Sequence, residues 1–258
     1  MDFICSVRRC VTVALAAAVL PMIGASTAAA STSPSDWLST VNEYRSIAGL
    51  PPVAEDPAMS SGAYQHSCYM LLNGMSHDEV PGKPGYTVEG DEAGNSANVA
   101  VSSVFDQTER SHVELWMTGP FHAIGVLRPN LVTAGFGKCD NPDTSPWKSA
   151  ASLDVIRGLG AASPLTSPIL FPGDGSTTSL DHFIAETPDP RAYCGWGTAT
   201  TGLPLIAMMP EDVTGSVTAS LSGPDGPVET CALWSGNTDG TARSILQGDD
   251  AIIAMPRT

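Results

Sequence analysis

The chain has 258 residues, of which 42% are apolar and 15% charged, enough apolar material for a sizeable core and too much for a disordered chain. Acidic residues outnumber basic ones 27 to 12, a net charge of −15. That balance excludes nucleic-acid binding by phosphate neutralisation and adhesion to anionic membrane surfaces.

In chain order, Arg8 and Arg9 precede an apolar run from Val11 to Ile23, and small residues follow to Ala28-Ala29-Ala30. This pattern predicts a signal peptide over 1–30, cut after Ala30, and a secreted protein. The run is too short to serve as a stable membrane anchor. Four cysteines follow it: Cys68, Cys139, Cys194 and Cys231. An even count in an exported chain predicts two disulfides, with three connectivities open. No Cys/His spacing matches a structural zinc site.

Ser31 to Ser35 is a Ser/Thr/Pro linker. Trp37, Val41, Tyr44 and Ala48 then recur at helical spacing until Gly49 and Pro51-Pro52 stop the pattern. A second helix is expected from Asp56 as N-cap and Pro57 at the first position, with Met59, Ala63, His66 and Met70 on its apolar stripe. Asn73-Gly74 ends it. Residues 75–97 read as an irregular loop, a third helix spans roughly Val104 to Met117, and Gly119-Pro120 breaks it. Leu131 to Phe136 alternates as a strand running towards Cys139.

After Asn141-Pro142 the signals become short β-rich runs separated by turn dipeptides. They are Ile169–Phe171, Leu205–Met208, Val217–Leu221, Thr230–Trp234 and Ala251–Ala254. This predicts two domains, 31–141 and 142–258, the second a small all-β, Ig-like sandwich. Two cysteines lie on each side of that boundary, so Cys68–Cys139 and Cys194–Cys231 is the economical pairing.

Three stretches of the first half carry a family resemblance. They are Val41-Asn42-Glu43-Tyr44-Arg45 with Ala48-Gly49-Leu50-Pro51-Pro52, Ala63-Tyr64-Gln65-His66 followed by Ser76-His77, and Leu115-Trp116-Met117-Thr118-Gly119-Pro120-Phe121-His122. Ala134-Gly135-Phe136-Gly137 then sits where a Gly-x-Gly strand is expected. In this order and spacing they resemble the CAP superfamily of cysteine-rich secretory, antigen 5 and pathogenesis-related proteins, in a bacterial secreted form with a C-terminal β-domain. The resemblance implies an α+β fold, an α–β–α sandwich, ahead of that β-domain.

It also implies a cleft where two histidines and two glutamates meet. The histidines correspond to His77 and His122, and Asn98 and Trp116 are expected to line the same cleft. Ala97 stands where the first glutamate would be, and no acid follows Trp116. Glu89, Asp91 and Glu92 lie just upstream and are the nearest acids in sequence. Two imidazoles alone make a weak metal site, so no cofactor is required and a divalent cation such as zinc is expected to be held only loosely. His66 reads as a hydrogen-bonded core histidine. His112 and Glu109 read as a solvated helix face, and His182 has no partner in view. No G-x-S-x-G elbow supports a serine nucleophile.

The expected function is therefore extracellular binding or interaction, with lipid-like or cell-envelope ligands. The alternative is a divalent-metal-dependent hydrolase or protease using His77 and His122. Nothing in the pattern specifies an oligomeric state.

Overall fold

The computed structural model describes residues 35–258. The signal peptide expected over 1–30 lies outside the described residues.

The first half comprises α1 (Asp36–Ile47), β1 (Ala54–Glu55), α2 (Pro57–Asn73), α3 (Val88–Gly94), β2 (Ala97–Ser102), α4 (Glu109–Thr118), α5 (Pro120–Leu127), β3 (Thr133–Asp140) and β4 (Ser149–Asp154). Helix α1 buries Trp37, Val41 and Tyr44, the stripe the spacing predicts. Helix α2 begins as expected: the Asp56 carboxylate accepts from the Ala58 and Met59 N–H groups at 2.8 and 3.2 Å, with Pro57 at the first position.

The strands form one sheet in the order β1-β3-β4-β2, with β1 parallel to β3 and the other pairs antiparallel. Helix α2 lies directly on one face. A Cβ added at Gly137 would fall 2.0 Å from the Tyr64 backbone nitrogen, so only glycine admits the helix this closely. The Cys68–Cys139 disulfide ties α2 to β3 on the same side. On the opposite face, Trp37 stacks on Phe136 with centroids 5.6 Å apart, and Trp116 meets the same ring edge-on at 6.3 Å. Truncating any of these rings to alanine costs about 3–5 kcal/mol in a packed core. Helices on both faces make the α–β–α sandwich.

The second half comprises β5 (Ile169–Phe171), α6 (Pro190–Tyr193), β6 (Leu205–Met208), β7 (Leu221–Gly223), β8 (Gly226–Val228), β9 (Thr230–Leu233), α7 (Gly240–Gly248) and β10 (Ala251–Pro256). Four strands pair antiparallel in the order β5-β6-β10-β9. Cys194–Cys231 links the end of α6 to β9. Both disulfides thus have the economical pairing.

Several sequence expectations are corrected. First, the Ig-like sandwich does not form. Among the described residues the second half has one four-stranded sheet and the separate β7–β8 hairpin. Its buried face, with Ile206, Leu233 and Ile253, shares a core with Ala242 and Leu246 of α7, so a helix stands where a second sheet was expected. Glycines at both ends of that helix imitate turn punctuation. Second, residues 75–97 include α3, and Gly119-Pro120 starts α5 instead of only ending α4, because proline suits the first position of a helix. The strand expected over Val217–Leu221 begins only at Leu221.

Third, the boundary at 141/142 cuts the first sheet. Strand β4 lies beyond it, yet pairs with β2 and β3 on either side. The apolar cluster is also continuous across it: Phe171 meets Tyr44 edge-on at 6.1 Å. The Arg128 guanidinium makes two 2.9 Å contacts with Asp249, and the Gly173 N–H donates to Ile47 O at 3.2 Å.

Candidate functional site

The site is built around the start of α5. The first N–H groups of any helix lack intrahelical acceptors and carry the positive end of its dipole. Here a carboxylate from the second half fills that role. Glu186 accepts from the Phe121 N–H at 3.1 Å, the His122 N–H at 3.3 Å and His122 Nδ1 at 2.8 Å, all through Oε2. Its side chain is fully buried, whereas His122 is 18% exposed. Burial pushes the Glu186 carboxyl above the usual carboxylate range, against the lowering effect of His122 and the two backbone N–H groups.

Glu186 sits on the irregular stretch between β5 and β6. That stretch is anchored by Phe183, which is buried, carries the Arg191 guanidinium 5.0 Å from its ring centre and donates its N–H to Thr201 O.

His77 follows α2 and lies at the exposed rim. Its Nδ1 is 2.9 Å from Gly94 O at the end of α3. A carbonyl can only accept, so this Nδ1 carries the hydrogen. The carboxylate of Glu186 imposes the same state on His122 Nδ1. Among the described residues neither Nε2 has a hydrogen-bond partner, and both rings line the same cleft.

That cleft has two chambers. The larger, about 440 Å³, is walled by apolar groups such as Val99, Val101, Leu115, Trp116 and Trp147. The smaller, about 310 Å³, includes Asn98, Phe121, Gly125 and Ile245. His77, His122 and Thr187 line both and mark their junction.

Thus all four residues singled out from sequence line the cleft, Trp116 in the larger chamber and Asn98 in the smaller. Asn98 Nδ2 donates to His122 O at 3.1 Å and steadies α5, while Trp116 Nε1 donates to Val99 O at 3.3 Å. Ala97 also faces the smaller chamber and offers no donor or acceptor. The upstream acids line neither chamber. Asp91 accepts from the Glu79 N–H at 2.7 Å, and Glu92 lies 3.7 Å from Arg157. Sequence reasoning missed Glu186 because no spacing links it to His122, 64 residues earlier.

His66 is a core histidine, fully buried between Glu79 Oε1 at 3.0 Å and Ser76 O at 2.8 Å. His112 does not face solvent as expected: it is 2% exposed and 3.2 Å from Ser149 Oγ, because α4 turns this side towards β4. Burial lowers its pKa to about 4, and nearby Lys138 adds to the effect. Glu109 accepts from the Trp37 N–H at 3.0 Å. His182 pairs with its neighbour Asp181, both exposed.

The opening motif serves the scaffold. Asn42 exchanges two hydrogen bonds with the Val53 backbone, at 2.8 and 3.0 Å. Arg45, fully buried, donates to Pro51 O at 2.9 Å, Val126 O at 2.7 Å, Arg128 O at 3.0 Å and Leu131 O at 3.3 Å. It therefore satisfies carbonyls at the end of α5, the helix that carries His122.

As a metal centre the donor set is short. Two Nε2 atoms are available, Ala97 supplies nothing, and Glu186 is spent on His122 Nδ1 and the α5 backbone. Among the described residues no cluster of three or more His, Cys, Asp or Glu could hold a metal ion. These residues do not fit a zinc that needs three protein ligands.

Residues 38–148 match the family model of CAP, the cysteine-rich secretory protein family. The match runs from within α1 to the residue before β4. The match stops short of Glu186. No curated protein matches the chain.

Proposed function

We propose that this protein is a secreted binding module whose CAP cleft takes an amphipathic, lipid-like or cell-envelope ligand. The observation that carries this reading is the cleft itself: an apolar chamber of about 440 Å³ that ends on two histidines. Apolar walls with a few convergent polar groups are the usual make-up of a small-molecule site. Binding of this kind does not need the glutamates that the family pattern lacks here. The N-terminal signal pattern and the two disulfides support export.

Native mass spectrometry and a fluorescent lipid titration of the secreted protein test it. Saturable one-to-one binding is expected, weakened about tenfold by Val101→Trp, which fills the larger chamber. Absence of binding across fatty alcohols, sterols and phospholipids overturns it.

A metal-dependent hydrolase is the second reading. It draws on the anchored Nδ1 atoms, since metal-ligating histidines donate their other N–H to a carboxylate or carbonyl. The missing third ligand weighs against it. Calorimetric zinc titration paired with a protease assay decides, on the wild type and on the His77→Ala, His122→Ala double variant. Weak zinc binding and turnover no greater than that of the variant are expected. Tight one-to-one zinc binding with activity lost in the variant would establish the hydrolase.

A further inference from the structure

We propose that Glu186, contributed from outside the CAP-matching segment, sets the head-group specificity of the cleft by holding His122 with its Nε2 lone pair available. The cleft would then select amphipaths whose heads donate hydrogen bonds, such as alcohols and ammonium groups, over carboxylates. This inference rests on the amphipath reading above.

Three observations converge on it. First, Glu186 Oε2 accepts from the Phe121 and His122 backbone N–H groups and from His122 Nδ1, so the carboxylate can only be an acceptor towards the ring. A neutral imidazole whose Nδ1 donates must present Nε2 as an acceptor. His77, with Nδ1 donating to Gly94 O, is held in the same state. The junction of the chambers thus offers two ring acceptors.

Second, among the described residues no Lys or Arg without a carboxylate partner lines either chamber. Among the described residues Arg128 is the one Lys or Arg side chain lining either chamber, and Asp249 accepts from its Nε and Nη2 at 2.9 Å. Third, the fully buried Glu186 carboxylate stands directly behind His122, so a ring that meets the head already has a negative neighbour. A carboxylate head would meet two ring lone pairs with a negative group behind one of them, whereas an alcohol or ammonium donates to those lone pairs. Ala97, where a second acid would stand, adds no competing anchor.

The placement of Glu186 is built into the scaffold. A Cβ on Gly119 would lie 2.7 Å from Glu186 Oε2, so the glycine ahead of α5 leaves the space the carboxylate needs.

Two measurements on the full secreted chain test the proposal. The first needs no ligand: 15N NMR of the imidazole nitrogens at about pH 8, above the ordinary imidazole range. His122 is expected as the Nδ1–H form in the wild type and as a mixture of tautomers in Glu186→Ala. An Nε2–H form in the wild type overturns the positioning role even if the alanine variant does not fold. The second is calorimetric titration with 1-decanol, decylammonium and decanoate at the same pH. The two donors are expected to bind about tenfold more tightly than decanoate. The isosteric Glu186→Gln, which removes the charge, should raise decanoate affinity about threefold. Decanoate binding as tightly as decanol, or unchanged by Glu186→Gln, overturns the specificity rule. Failure of all three ligands overturns the amphipath reading, and the specificity with it, while the NMR result still decides what Glu186 does to His122.

Discussion

Glu186 passes so close to Gly119 that a Cβ on the glycine would lie 2.7 Å from its Oε2 and 3.1 Å from its Cβ. The glycine belongs to the CAP segment and the glutamate does not, so the polar end of the cleft depends on a fit between residues far apart in sequence. Gly119→Ala should therefore displace Glu186 and leave the Phe121 and His122 N–H groups short of an acceptor. A loss of about 1–3 kcal/mol is expected in denaturant unfolding. The His122 imidazole signals should change in the same variant, whereas Gly248→Ala, with open space around its Cβ, should leave them unmoved.

His112 makes stability depend on acid. Its pKa falls to about 4 in the fold from an ordinary 6.5, chiefly through burial. The unfolded chain then binds the proton more tightly, so the His112 contribution is complete above pH 6.5 and is lost as pH falls towards 4. Its full size is about 3 kcal/mol, at 1.36 kcal/mol per unit. Chemical denaturation of the wild type and His112→Gln at neutral and acid pH should show a smaller acid-induced loss in the variant. Parallel pH curves would count against this origin.

Arg45 holds a buried charge with no carboxylate partner among the described residues, surrounded by the backbone carbonyls of Pro51, Val126, Arg128 and Leu131. Arg45→Met would leave those carbonyls unsatisfied in the interior. A destabilisation of about 3 kcal/mol is expected, because each orphaned buried group costs about 1–3 kcal/mol and the charge's own desolvation is relieved in return. Thermal melting reads the loss directly, and an unchanged transition would contradict it.

The continuous core bears on fragments. The segment 31–141 lacks β4, the strand that joins β2 to the rest of its sheet. It also lacks Phe171, which packs on Tyr44. Expressed alone it should unfold without a cooperative transition, whereas 31–258 should unfold in one. A sharp transition in the short fragment would show that α2, β3 and the Cys68–Cys139 bridge suffice.

Each disulfide closes a long loop, with sequence separations of 71 and 37 residues. Replacing either pair by serine should cost about 4 kcal/mol in the chain-entropy model. Denaturant midpoints of the two double variants measure it, and a negligible loss would show that the reduced chain is already constrained.

Much of the first half was legible because it rests on local rules. Asp56-Pro57 starts α2 through hydrogen bonds within three residues, and the Trp37, Val41, Tyr44 spacing marks a buried face whatever it packs against. The histidines could be named in advance because a linear pattern carries them. The second half was less legible, since the turn-like glycines around α7 and the short strands suit several β arrangements. Pairing across the sheet and the helix over its buried face settled the outcome. Glu186 lay beyond any sequence reading. Among the described residues it is the acid bonded to His122 because the stretch after β5 brings it there, and such a long-range approach leaves no periodicity or spacing in the chain. The sequence by itself determined α1, the start of α2, the histidines and the cysteine count. Only the tertiary structure decided which carboxylate holds His122, because a single contact of 2.8 Å across 64 residues is fixed by packing and not by local propensity.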